Sequence, residues 1–210
     1  QVIAKDAAFA PAYAGLAAAY AASSFQGFQD HTDELLQMRS ASEKAIGLDP
    51  LLSEAQQALG MIYSRDGQWA QSEKSFRRAI ELNPNDTRLR AIYGAYLVAV
   101  GRVDEAIQQY EIAAQLDPRD QYWIPWLRGS ALFVARRYAE AIDSFKQMVD
   151  PINEVRGWLA ASLAHAGRLQ EAAAMLDEFL RVAEREMEDF PGQRLKDWES
   201  YWQDTTKFQH

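Results

Sequence analysis

The sequence predicts an all-α chain built from stacked antiparallel helix pairs. Three observations carry that reading. The proline-marked stops Leu48-Asp49-Pro50, Leu82-Asn83-Pro84 and Leu116-Asp117-Pro118 place their prolines 34 residues apart, and Asp150-Pro151 follows 33 residues later. A fixed internal period of this length signals a repeat architecture. Between the stops, apolar side chains recur three and four residues apart, as in Ala106, Ile107, Tyr110, Ala113 and Ala114, the spacing of one helical face. Gly67 and Gly101 each stand between two such stretches, at the turn from one helix to the next.

Each period therefore reads helix, short turn, helix, proline. Proline stops the second helix because it has no N–H and biases the residue before it away from helical dihedrals. In one unit the first helix holds Leu59-Gly60-Met61-Ile62-Tyr63 and the second runs through Trp69 to Ile80; the next holds Tyr93-Gly94-Ala95. Small residues let paired helices approach, and aromatic rings fill the space between them.

These side chains stand at fixed offsets. Gly60, Tyr63, Ser72, Phe76, Ala79 and Pro84 mark one unit, and Gly94, Ala106, Tyr110, Ala113 and Pro118 mark the next. In period and in these marker places the chain resembles the tetratricopeptide repeat family over roughly residues 1–188. The resemblance implies a right-handed superhelical solenoid of five such pairs within 7–188, at 7–50, 51–84, 85–118, 119–151 and 152–188.

The first unit is nine residues too long; Leu16, Ala17 and Tyr20 match, and the excess falls near 25–33, between its helices. In the fourth, Gly129, Ala141 and Phe145 fit, but Arg136 replaces the turn glycine. In the fifth, Ala160, Gly167, Ala172 and Phe179 fit, and no proline closes the second helix on time. Residues 1–6 read as the end of a truncated preceding repeat, so the natural protein is expected to extend upstream. The pattern around 50–118 resembles the repeat arrays of large multidomain bacterial proteins.

Residues 189–210 are expected to form a C-terminal capping helix or tail. There Leu195, Trp198 and Trp202 fall at i, i+3 and i+7, with Tyr201 and Phe208 nearby. Two readings stay open. The 194–208 helix caps the last apolar face, as repeat arrays require, or it is an aromatic ligand for a groove, in cis or in trans.

Composition narrows the function. Of 210 residues, 22 are basic and 30 acidic, for a net charge of −8. Such a chain repels phosphate backbones, so no nucleic-acid partner is expected. There are no cysteines, which excludes disulfides, thiolate metal sites and a cysteine nucleophile. Residues 7–29 are uncharged and long enough to span a bilayer, but they are Ala-rich and interrupted by Pro11, Gly15, Ser23 and Ser24. They read as a packed soluble helix, so no membrane partner is expected within this chain. The compartment stays open, with the cytoplasm favoured.

No catalytic, metal or cofactor site is expected. His31, His165 and His210 are far apart in sequence and make no metal-binding spacing, and no phosphate-cradling glycine loop occurs. Acidic pairs such as Asp104-Glu105 sit on polar helix faces, where they offset the helix dipole or keep the surface wet.

The resemblance implies that the first helix of each pair lines a concave inner face. Carried onto this sequence, the partner-binding candidates are Gln57, Met61, Arg65, Arg88, Val98, Trp123, Trp126, Ser130 and Phe133. Relatives that grip a terminal carboxylate use a Lys/Asn/Arg clamp there; this chain has Ala, Gln, Met and Ala in those places. Only Arg65 and Arg88 could meet a carboxylate. Trp123, Trp126 and Phe133 either form an open apolar site or pack on neighbouring elements. The expected function is a non-catalytic module that binds a peptide segment of a protein partner in its groove. The alternatives are a self-associating structural element, hence a homodimer, or the substrate-positioning part of a larger multidomain bacterial regulatory enzyme.

Overall fold

The computed structural model describes residues 6–23, 32–120 and 122–189. The 194–208 segment, His31, His210 and most of the excess stretch 25–33 lie outside these described residues. Ten helices and no strand lie among them: α1 (Ala10–Ser23), α2 (Thr32–Leu48), α3 (Ser53–Arg65), α4 (Trp69–Leu82), α5 (Thr87–Ala99), α6 (Val103–Leu116), α7 (Trp123–Val134), α8 (Tyr138–Phe145), α9 (Asn153–His165) and α10 (Leu169–Asp189). The proline stops fall between α2 and α3, α4 and α5, and α6 and α7, so the period seen in the sequence is a period of helix pairs.

The chain divides into two compact units, Gln1–Tyr93 and Gly94–His210. In the first, α1 packs on α2, α2 on α3, and α3 on both α4 and α1. Its core joins Ala17, Met38, Ala41, Ala58, Leu59 and Ile62, and a second cluster joins Ala14, Ala45 and Ala55. The uncharged α1 packs through its alanines: Ala14 and Ala17 are buried in the clusters formed with its neighbours. No described helix is long and apolar enough to cross a membrane. In the second unit, α7 packs on α6, α8 and α9, and α9 on both α8 and α10.

Within three pairs the same device sets the helix spacing. Gly60 faces Phe76, Gly94 faces Tyr110, and Gly129 faces Phe145; a methyl at those glycines would meet the rings at 2.9, 2.5 and 2.4 Å. Nothing larger than hydrogen fits there. Phe76, Tyr110 and Phe145 are each 1% exposed, so each ring occupies the space its glycine leaves. Burial also pushes the Tyr110 hydroxyl pKa far up.

The turns repeat as closely. Gly67 has φ +71, its N–H donates to the Ser64 carbonyl at 3.1 Å, and the Gln68 N–H donates to the Tyr63 carbonyl at 2.8 Å. These two bonds satisfy carbonyls at the helix end that have no partner within the helix. Gly101, Arg136 and Gly167 make the same pair of bonds, with φ between 60 and 80. Arg136 is thus held in a left-handed conformation that its Cβ opposes. Arg136→Gly is expected to raise stability by about 0.5–1 kcal/mol, read by urea denaturation, because glycine adopts that conformation without penalty.

After three of these turns an arginine and a glutamate three residues on bind bidentately: Arg102–Glu105, Arg137–Glu140 and Arg168–Glu171 each form two bonds of 2.6–2.7 Å. Each pair sits on the surface at a helix start, where solvent screening leaves it little weight in stability.

Candidate functional site

In the first unit, Gln57, Met61 and Arg65 lie on α3 and Arg88 on α5. Met61 is partly buried against the Ala17–Met38–Leu59 cluster, which gives it a packing role. Arg65 and Arg88 are exposed and make no ion pair among the described residues. A cavity of about 950 Å³ in this unit is lined instead by Gln56, Leu59, Tyr63 and a run of α4 that includes Glu73, Arg77, Arg78 and Glu81. Its charges pair with one another, Arg77 with Glu73 at 2.8 Å and Arg78 with Glu81 at 3.0 Å, and none of the nominated residues lines it.

The second unit holds an apolar cavity of about 690 Å³. Ala95 and Val98 of α5, Leu127, Ser130, Phe133 and Val134 of α7, Trp158 and Ala161 of α9, and Leu176 and Phe179 of α10 line it. It brings together three nominated residues, Val98, Ser130 and Phe133. The Ser130 hydroxyl donates to the Trp126 carbonyl at 3.0 Å, so its donor is spent within its own helix. Phe133 sits in an aromatic cluster, its ring centre 5.0 Å from Trp158, 5.5 Å from Tyr138 and 5.8 Å from His165, all edge-on. Tyr138 and His165 stack at 4.6 Å and 11°. These contacts hold Phe133 in a fixed orientation, the usual property of a binding anchor.

Trp123 and Trp126 stand outside that lining. They pack edge to face on each other at 5.8 Å, with Trp123 still 43% exposed and Trp126 half-buried. Asp120 fixes the entry to their helix, its Oδ1 accepting the Tyr122 and Trp123 N–H groups at 2.9 and 2.8 Å. Pro125 is buried in the first turn, where its missing N–H has no cost, and its carbonyl accepts from the Ser144 hydroxyl at 2.9 Å.

Sequence reasoning did not nominate Trp158, Leu176 or Phe179 for the site. In the fifth unit the glycine–aromatic pairing is displaced: Phe179 packs against Gly157, whose added methyl would sit 3.4 Å from the ring. Gly157 lies three residues before Ala160, and Phe179 three residues after Leu176. Opposite shifts of about one turn on facing helices keep a small residue against a large one.

Two polar groups border this region. The Asn153 side-chain amide donates to the Phe179 carbonyl at 3.2 Å, tying α9 to α10, while its buried Oδ1 has no partner among the described residues. Arg156 adds a second tie through Glu178 at 3.2 Å. Burial pushes the Glu154 carboxyl above its ordinary value of 4.5, while the Trp158 indole N–H, donating at 3.3 Å, pulls it down. With a raised pKa, the folded chain keeps a proton that the unfolded chain releases, so stability falls as pH rises through the window above 4.5. Glu154→Gln keeps an oxygen for the indole and removes the charge. It is expected to melt higher than the parent at neutral pH and to converge with it below the ordinary carboxylate range, read by thermal melts across about pH 4 to 7.

Among the described residues no three histidine or carboxylate groups are placed to hold a metal ion. Paired helices with glycine–aromatic contacts and 34-residue punctuation are the features of one family, and the family model described as Tetratricopeptide repeat matches residues 58–121. Residues 58–121 are a tetratricopeptide repeat segment.

Small glutamine-rich tetratricopeptide repeat-containing protein 2 of Mycosarcoma maydis is 37% identical over 92 residues, 42% of this chain and 26% of that protein. Superkiller protein 3 of Schizosaccharomyces pombe is 25% identical over 193 residues, 87% of this chain and 13% of its own length. The matches thus span only 13% and 26% of the length of these curated relatives. Among solved structures, YrrB, described as a TPR protein with an unusual peptide-binding site, superposes with a TM-score of 0.65 at 18% identity. The match covers 89% of this chain and 92% of YrrB, a likeness of fold. Tetratricopeptide repeat proteins are typically protein-interaction scaffolds and generally non-catalytic.

Proposed function

We propose that this chain acts by binding rather than by catalysis, seating a peptide segment of a partner protein in the apolar cavity of the second unit. The observation that carries the reading is the 690 Å³ cavity, whose lining includes Tyr110, Phe133, Trp158, Phe179, Leu127 and Leu176. A concave apolar site of a few hundred Å³ with rigid aromatic walls suits bulky apolar side chains. Val98, Ser130 and Phe133 serve here, joined by Trp158, Leu176 and Phe179. Trp123 and Trp126, in the same unit, are a second tier whose contribution is to flanking residues of the ligand. YrrB, with its peptide-binding site, offers a precedent on the same fold. The boundaries 7–50, 51–84, 85–118, 119–151 and 152–188 are proposed as the repeat units.

Selection of random peptides displayed on phage tests this. Peptides carrying two or more large apolar residues are expected to be enriched on the parent chain and lost on a Phe133→Ala chain. Enrichment that survives Phe133→Ala, or that depends on a free terminal carboxylate, would overturn the reading. A second copy of the chain is the competing occupant, and a concentration-independent dimer in light scattering would favour it.

A further inference from the structure

We infer that Glu154 reads a basic residue of the partner peptide, a lysine or arginine set at a fixed distance from the apolar side chain that enters the second unit's cavity. This inference rests on the groove reading above and adds the charge that the seated peptide carries. Geometry is the first support. Gly157, Trp158 and Ala161 of α9 line the cavity, and Glu154 stands three, four and seven positions before them, on the same face of that helix. The Trp158 indole N–H donates to the Glu154 Oε1 at 3.3 Å, so the carboxylate is tied to a wall of the cavity. Four residues of helix separate the two by about 6 Å. An extended peptide covers that distance in about two residues, and a helical one in about four.

Charge is the second support. The cavity lining holds no acidic or basic side chain. Glu154 is half-buried, and among the described residues its second oxygen has no hydrogen bond and no cation pairs with it. Two arginines of the same unit are engaged elsewhere. Arg156 meets Glu178 at 3.2 Å and Asp150 at 3.7 Å. Arg128 donates to the Ser144 hydroxyl at 3.0 Å and to the Gln147 side-chain oxygen at 2.9 Å. Burial raises the Glu154 pKa, the mark of a charge short of solvation. A cation brought by a ligand gains more beside such a group than on open surface, and it fixes the register of the peptide. The net charge of −8 attracts basic peptides to the chain as a whole; Glu154 puts the attraction in step with the cavity.

Phage selection on the parent, Glu154→Gln and Glu154→Lys chains tests this. On the parent, lysine or arginine is expected at one fixed offset from the apolar residues. Glu154→Gln is expected to lose that basic preference and keep the apolar one, and Glu154→Lys to select aspartate or glutamate at the same offset. Glu154→Gln retains an acceptor for the indole, so it carries the test alone if Glu154→Lys does not fold. Apolar enrichment without a fixed basic position, or a basic preference that survives Glu154→Gln, would overturn the inference and leave the groove reading standing. Absence of apolar enrichment on the parent sinks the groove reading, and this inference with it.

A synthetic copy of a parent-selected peptide then isolates the pair. Changing its basic residue to glutamine is expected to weaken binding to the parent about tenfold, and to the Glu154→Gln chain by less than about twofold. Equal losses on the two chains would show that the basic residue and Glu154 do not meet.

Discussion

Phe145→Ala is expected to lower stability by about 3–5 kcal/mol, the largest effect of any single change considered, because the ring is fully buried and its cavity cannot refill. Phe145 is 1% exposed and faces Gly129, which has no side chain to collapse into the gap. The reverse change tests the same contact. Gly129→Ala gains about 1 kcal/mol of helix propensity but drives a methyl to 2.4 Å from a ring that has nowhere to retreat. Overpacking of that kind costs about 1–3 kcal/mol, and with so short a contact the upper part of that range applies, for a net loss of up to about 2 kcal/mol. Combined, the two substitutions should cost clearly less than their sum, since each removes the other's defect. Urea denaturation of the four chains closes the cycle. A neutral Gly129→Ala would mean that the ring is not seated where the contact requires.

Phe133→Ala is expected to weaken a selected peptide by about 2 kcal/mol or more, roughly thirtyfold, as measured by calorimetric titration. Phe133 lines the cavity while Trp158, Tyr138 and His165 fix its orientation, so its truncation removes both contact area and shape. Trp123→Ala is the contrast. That ring is large and 43% exposed but stands outside the cavity lining, so its removal is expected to change affinity by no more than about 0.5 kcal/mol. A greater loss at Trp123 than at Phe133 would move the site to the Trp123–Trp126 pair.

The helix pairs were legible because their signals are local and repeated. Proline stops, turn glycines and the Gly–aromatic offset of 16 residues, Gly60 to Phe76 and Gly94 to Tyr110, each follow from close packing within one pair. Arg136 in a glycine's place was visible in the sequence, and the structure gives it φ +60. The cavity was only half legible. Its lining comes from α5, α6, α7, α9 and α10, residues up to 84 positions apart from Ala95 to Phe179, and no local period links them. Carrying the inner face over from the family nominated Val98, Ser130 and Phe133, which line this cavity, and did not nominate Trp158, which lines it too. Phe179 was recognised as a repeat marker rather than as a wall of the site. The usable signal was the paired displacement of Gly157 and Phe179, each three residues off the pattern of the other units. The Arg102–Glu105, Arg137–Glu140 and Arg168–Glu171 pairs were also readable as an arginine and a glutamate three residues apart, but they carry no site.

The central claim is that the second unit's apolar cavity seats a partner's apolar side chains. The most direct measurement is an NMR map of amide and tryptophan indole shifts as a selected peptide is added to the full chain. The account predicts that the Trp158 indole and the amides of Val98, Ser130 and Phe133 move together, while the Trp69 indole in the first unit stays fixed. Shifts gathered around Arg65 and Arg88, with Trp158 unmoved, would contradict it.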